Sequence, residues 1–143
     1  MIGVSVSRHV QAAARAVSPI MDQRRDLGAD AERRAARALE AAGLRVVERN
    51  VRFTGGELDL VCRDGDAWVF VEVKARRPGW DDAPGAAVSW AKQRRLVRLA
   101  QHYLKWRGLR DVRFRFDVVE VTKAAGGEVR VRHLRSAFDA GTG

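Results

Sequence analysis

The chain has 143 residues, 46% of them apolar, which is enough for one domain with a core of its own. Its single cysteine excludes an intrachain disulfide framework and a cysteine-based zinc cluster. Against 18 Asp and Glu stand 27 Lys and Arg, 23 of them Arg, for a net charge of +9. That balance favours nucleic acid or an anionic surface as partner, with arginine the better bidentate ligand for phosphate.

Residues 1–22 contain Arg8, His9 and Arg15, no acid before Asp22, and no apolar run long enough for a signal peptide or a membrane span. They predict a disordered extension, with Met21 as an alternative start. A folded domain over 23–135 follows, then a frayed tail over 136–143. Cys62, on the apolar side of a strand, reads as a buried small hydrophobe, which fits a reducing cytoplasm.

Asp26 to Ala42 predicts a helix, stopped by Gly43. Ala31, Ala35, Ala38, Leu39 and Ala42 form a narrow apolar stripe, with Arg33, Arg37 and Glu40 on the far side and Arg34 on one flank. Glu32 falls at the edge of the stripe beside Ala35 and Leu39, and no basic residue stands three or four positions away to pair with it. Its position leaves two readings, a solvated residue or a member of a site. Leu44 to Phe53 predicts the first strand, with Asn50 as a turn or edge residue, and Thr54-Gly55-Gly56 turns the chain.

Gly55 to Lys74, GGELDLVCRDGDAWVFVEVK, predicts a hairpin turning at Asp64-Gly65. That turn sets Glu57 opposite Glu72 and Asp59 opposite Phe70, so Glu57, Asp59, Glu72 and Lys74 project to one side. Like charges so placed destabilise a hairpin, and a cation converts the cost into a binding site. Oxygen-rich clusters suit Mg²⁺ or Mn²⁺. The second strand is apolar on both faces, as expected of a central strand covered by helices on both sides.

Ala75 to Gly85 predicts a loop carrying Arg76, Arg77 and Trp80. Trp80 either stacks on an unpaired base or packs over the core. Ala86 to Arg107 predicts the second long helix, with Trp90, Leu96, Val97, Ala100, Tyr103 and Leu104 buried. The rest of that helix is basic through Lys92, Arg94, Arg95, Arg98, His102 and Lys105, with no acid between Trp90 and Arg107. Solvated helix faces normally mix signs, so this one reads as a phosphate-tracking surface. Lys92 and Gln93, at the helix start, are best placed to reach the acids. Strands over Val112 to Val121 and Glu128 to Leu134 complete an αβββαββ order: an α/β domain with a mixed sheet of about five strands between helices.

Asp59, followed thirteen residues on by Glu72-Val73-Lys74, resembles the PD-(D/E)xK nuclease signature, with Leu58-Asp59 in place of Pro-Asp. The wider pattern is similar to the YraN-type family of predicted bacterial endonucleases, relatives of archaeal Holliday junction resolvases. Its marks are Gly28-x3-Glu32, Asn50-x-Arg52, Gly56-Glu57-Leu58-Asp59-Leu60, Phe70-Val71-Glu72-Val73-Lys74 and the basic helix near Lys92. The resemblance runs from about Arg24 to Leu134 and implies a restriction-endonuclease-like core. It implies a metal-dependent DNA endonuclease, acting as a homodimer if directed to junctions, with a role in repair or recombination. Asp59 and Glu72 would hold Mg²⁺ or Mn²⁺ with the Val73 carbonyl as a further oxygen, and Lys74 would orient the attacking water. By the same resemblance Glu32 joins the metal site directly or through a water, and Glu57 is an auxiliary ligand or a supporting group. Arg76, Arg77, Trp80, Lys92, Gln93, Arg94, Arg95, Arg98 and Lys105 would bind the nucleic acid. The alternative from another class is a nucleic-acid-binding protein that uses the same basic surface without cleaving. No membrane partner is expected.

Overall fold

The computed structural model describes residues 19–77 and 88–140, with side chains from residue 28. Predicted features on residues 1–18, 78–87 and 141–143, Trp80 among them, lie outside the described residues. Seven elements follow in the expected order: α1 (Pro19–Ala41), β1 (Arg45–Phe53), β2 (Gly56–Asp64), β3 (Ala67–Arg76), α2 (Trp90–Trp106), β4 (Arg113–Lys123) and β5 (Val129–Phe138). The strands form one sheet in the order β1-β2-β3-β4-β5. Only β3 and β4 are parallel, and α2 supplies the crossover that a parallel pair requires.

Helix α1 packs on one face of the sheet and α2 on the other. Ala31, Ala35, Ala36 and Leu39 of α1 share a core with Leu60, Cys62, Val69, Val71, Val119 and Val121. Leu96, Leu99, Ala100, Tyr103 and Leu104 of α2 share the second with Leu58, Val61, Trp68, Phe70, Phe116 and Val118. Strand β3 feeds both cores and is buried from Ala67 to Glu72, as a central strand must be. Burial pushes the Cys62 thiol up to about 12, so it is an inert core residue.

The described part of helix α1 reaches back to Pro19, beyond the expected Asp26. It ends as expected at Gly43 (φ 99), with Leu44 N–H donating to Leu39 O at 3.0 Å and Gly43 N–H to Glu40 O at 3.0 Å. Helix α2 starts at Trp90, not Ala86. Ser89 caps it by accepting the Lys92 N–H at 3.2 Å, and Gln93 Nε2 donates to Val88 O at 2.9 Å. Trp90 is not part of the buried face: it is 69% exposed, and Leu99 completes the stripe instead. At ~100° per residue Trp90 lines up with Val97 and Leu104, but it stands in the first turn of α2, one turn or more before the first buried residue, Leu96.

The β2–β3 hairpin turns at Gly65-Asp66, two residues out of the expected register. Asp64 pairs with Ala67, Val61 with Phe70, and Leu60 with Val71. Gly65 has φ 61 in the first central position, which fits the Gly-x order of a type II′ turn rather than the Asp-Gly order of type I′. A shift of two keeps each side chain on its face but changes its neighbours: Phe70 faces Val61, not Asp59.

The C-terminal strand also departs from expectation, since β5 runs to Phe138 and residues 136–138 are not frayed. Its pairing steps from Val118↔Leu134 to Phe116↔Phe138, leaving an irregularity opposite Asp117. Asp117 is fully buried and holds that irregularity together. Its carboxylate accepts from Arg115 Nε at 2.9 Å and from the Ser136 N–H at 3.0 Å, and meets His133 Nε2 at 2.8 Å. Phe138 then stacks on Phe116 with ring centroids 4.8 Å apart. Among the described residues, no helix is long and apolar enough to cross a membrane.

Candidate functional site

The site forms where β2 leaves its ladder with β3. Past the Leu60↔Val71 pair, the Asp59 side chain replaces a backbone acceptor: its Oδ2 takes the Val73 N–H at 2.9 Å. Across the sheet, pairing passes from Arg49↔Leu60 to Val51↔Leu58 over Asn50, whose φ of 52 lies in the left-handed region that Asn tolerates better than most residues. Strand β2 changes face at the same level. Leu58 and Leu60, two apart and expected to share a face, divide between the α2 and α1 cores.

The change of face corrects one expectation about the acids. Glu57 does not project with Glu72; it turns toward α1, where Asn50 joins it to Glu32. With the amide oriented to satisfy both carboxylates, Asn50 Nδ2 donates to Glu57 Oε2 at 3.1 Å and to Glu32 Oε1 at 3.0 Å. Arg52 Nη2 lies 3.6 Å from Glu57 Oε1. The sequence reading missed Asn50, treating it as structural; a polar residue able to adopt positive φ inside a strand pattern was the available signal. Glu32 is half-buried on the face of α1 that meets the sheet, next to buried Ala31, Ala35 and Ala36.

Four carboxylates thus meet at one end of the sheet. Burial, followed by the negative charge of Glu72, pushes Asp59 up to about 8 despite the Val73 N–H, and Glu32 and Glu57 add to the push. Glu32 is raised for the same two reasons in the same order, burial and then the charge of Glu57, with the Asn50 bond opposing. Glu72, only 7% exposed, meets the Lys92 ammonium at 2.6 Å between Nζ and Oε2. The first turn of α2 therefore reaches the acids through Lys92, as expected, but not through Gln93, whose side-chain amide caps the helix. Lys74 follows Glu72 by two on β3 and is half-buried, in register with Glu120 of β4.

Among the described residues no three carboxylate, histidine or cysteine side chains close on a common point as a preformed cage. The donor set still fits a hard divalent cation of the Mg²⁺ kind. Such an ion keeps several waters and takes one or two carboxylates, and an acid pair in which Asp59 resists ionisation is short of positive charge. Asp59 and Glu72 could hold such an ion, with Val73 between them and Lys74 on β3. Glu32 and Glu57, fixed to each other through Asn50, are placed to act through water.

The basic residues separate into two groups. Arg94, Arg95, Arg98 and Lys105 are exposed on α2, and Arg94 lies over the Trp90 ring at 4.8 Å. Arg95 also packs against the Thr54–Gly56 turn, where a Cβ on Gly56 (φ 150) would come within 3.0 Å of Leu99 Cδ1 and 3.4 Å of Arg95 Cδ. Arg76 does not belong with them. It is the last residue of β3, 5% exposed, with Nη2 3.6 Å from Glu120 Oε2. The strand outruns the expected loop because Ala75 and Arg76 continue the pairing with Val121 and Thr122. Arg77, just after it, is half-buried.

The model of the uncharacterised protein family UPF0102 matches residues 31–121, a span that holds Glu32, Asn50, Glu57, Asp59, Glu72, Lys74 and Lys92. A UPF0102 protein of Symbiobacterium thermophilum is 49% identical over 116 residues, covering 81% of this chain and 98% of that protein. One from Dechloromonas aromatica is 54% identical over 113 residues, with 78% and 90% covered, and one from Geobacter sulfurreducens is 42% identical over 113 residues, with 79% and 88% covered.

Proposed function

The chain belongs to the uncharacterised protein family UPF0102, and we propose that it is a metal-dependent endonuclease that hydrolyses phosphodiester bonds in DNA. The observation that carries the reading is half-buried Asp59 beside buried Glu72, with Asp59 pushed up to about 8, near Lys74 and Lys92 on a strongly basic molecule. An acid pair of this kind, set at a strand end below a basic helix, is costly to the fold unless it binds a cation. Its likeness to the PD-(D/E)xK pattern gives the same chemistry.

Asp59, Glu72 and the Val73 carbonyl would hold Mg²⁺ or Mn²⁺, which when bound makes its water acidic and withdraws charge from the scissile phosphate. Lys74, on the face of β3 that carries Glu72, would orient the attacking water and meet the charge developing on the phosphate oxygens. Lys92, paired with Glu72, would be available to the phosphate were Glu72 to take a metal. Asn50 holds Glu32 and Glu57 in place beside the site. Arg94, Arg95, Arg98 and Lys105 position the backbone of the DNA without reading its bases. A role at branched or junction DNA, in repair or recombination, extends this reading.

One observation favours a second reading, a nucleic-acid-binding protein that does not cleave: Lys92 already neutralises Glu72 at 2.6 Å. A cleavage assay with Mg²⁺ or Mn²⁺ on junction, flap, single-stranded and duplex DNA separates the two. The nuclease reading predicts metal-dependent nicking that Asp59→Asn and Glu72→Gln abolish while binding persists. Binding without nicking on every substrate would leave the second reading.

A further inference from the structure

On the flank of α2 away from Phe53 and His102 lies a cleft of about 530 Å³, bounded by Trp90, Arg94, Val97, Arg98, Gln101 and Asp139. Its size falls in the range of roughly 300–1,000 Å³ typical of small-molecule sites. Trp90 is 69% exposed, the most exposed large hydrophobic side chain among the described residues. An exposed cation–π pair explains why Arg94 rests on the indole, but not why a tryptophan stands in solvent at the mouth of a cleft. Among the described residues the α2 core is complete without it.

We propose that this cleft takes an unpaired nucleotide, its base stacked at Trp90, so that the preferred substrate is a duplex carrying a single-stranded tail or branch. The inference deepens the nucleic-acid reading above and rests on it. An indole beside arginines is the arrangement on which bases stack without regard to sequence. Asp139 decides what enters. A carboxylate in the cleft repels phosphate, so the backbone follows Arg94 and Arg98 at the rim. The same carboxylate accepts from the N–H groups of a base's Watson–Crick edge, which an unpaired nucleotide leaves open and base pairing occupies.

The test is binding in EDTA, measured by fluorescence anisotropy at one fixed salt concentration, to a labelled duplex and to the same duplex with a single-stranded tail. The wild type is expected to prefer the tailed duplex. Trp90→Ala should cost about tenfold on the tailed duplex and little on the blunt one, and Trp90→Phe should restore most of the loss. Equal binding of both DNAs by the wild type, or an equal loss on both in Trp90→Ala, would overturn the proposal while leaving the nucleic-acid reading intact. A wild type that binds neither DNA would overturn both. A monomer–dimer equilibrium that Trp90→Ala abolishes, with tail binding unchanged, would assign the cleft to a second copy of the chain.

Discussion

Asp59 carries the most informative charge in the molecule. Its carboxyl is held near 8, so between the ordinary carboxylate range and that value the folded state binds a proton that the unfolded state has released. The sign follows from linkage: the metal-free protein should lose stability as pH rises through this window, the reverse of a salt-bridged aspartate. Asp59→Asn keeps an acceptor for the Val73 N–H and removes the charge. Its melting temperature in EDTA at pH 8 should rise by at least ~3 °C, about what 1 kcal/mol is worth in a domain of this size. The wild-type gain on adding Mn²⁺ should vanish in the variant; a variant no more stable than wild type at pH 8 would refute the strained-acid account. Glu32→Gln should likewise stabilise the metal-free protein slightly and halve the Mn²⁺-induced rise or more, because Glu32 is tied through Asn50 to Glu57. An equal rise in both proteins would remove Glu32 from the site. At this scale the acids themselves were legible, since Glu32 stood at a stripe edge without a partner and Asp59 and Glu72 stood near a turn. The side that Glu57 takes was not. Leu58 and Leu60 pack in different cores, beside the left-handed Asn50 of β1, and no alternation pattern encodes such a change of face.

Among the elements, β5 owes its second half to one side chain. Burial alone would raise Asp117, yet Arg115, His133 and the Ser136 N–H outweigh it and hold the carboxyl below its ordinary range. That stabilisation is present above the ordinary carboxylate range and is lost as pH falls through the lowered value. Asp117→Asn leaves Arg115 without its buried partner and should cost about 3 kcal/mol or more in urea unfolding, flattening the acid limb of the stability profile. A loss below ~1 kcal/mol would mean that the Phe116–Phe138 stack closes the strand without Asp117. The element order, the role of β3 and the end of α1 could be read from periodicity and from Gly43. What misled was local. The turn took Gly65 in its first position, Ser136 adopts a positive φ where β5 departs from regular pairing, and α2 began only after its Ser89 cap. Each is a choice between neighbouring turn or cap residues that tertiary packing settles.

For the whole molecule, the basic face of α2 is the feature that composition foretold and the fold left exposed. Replacing Arg94, Arg95 and Arg98 together by Ala should flatten the slope of log K against log salt on duplex DNA by about 2 to 3 units, at roughly 0.9 per phosphate contact. An unchanged slope would make α2 a solvated surface and nothing more. Composition could not say which arginines belong to that face, and so Arg76 was counted with them although it is buried against Glu120. Nor could it place Trp90 outside the core, since a tryptophan on a helix reads as buried by default. The most direct measurement of the central claim is product formation from branched DNA when Mn²⁺ is added to protein prepared in EDTA, with wild type and Glu72→Gln side by side. The account predicts nicking by the wild type that depends on Mn²⁺ and falls by about 100-fold or more in Glu72→Gln, with DNA binding retained. Equal product from both proteins, or none from a wild type that binds the same DNA, would contradict it.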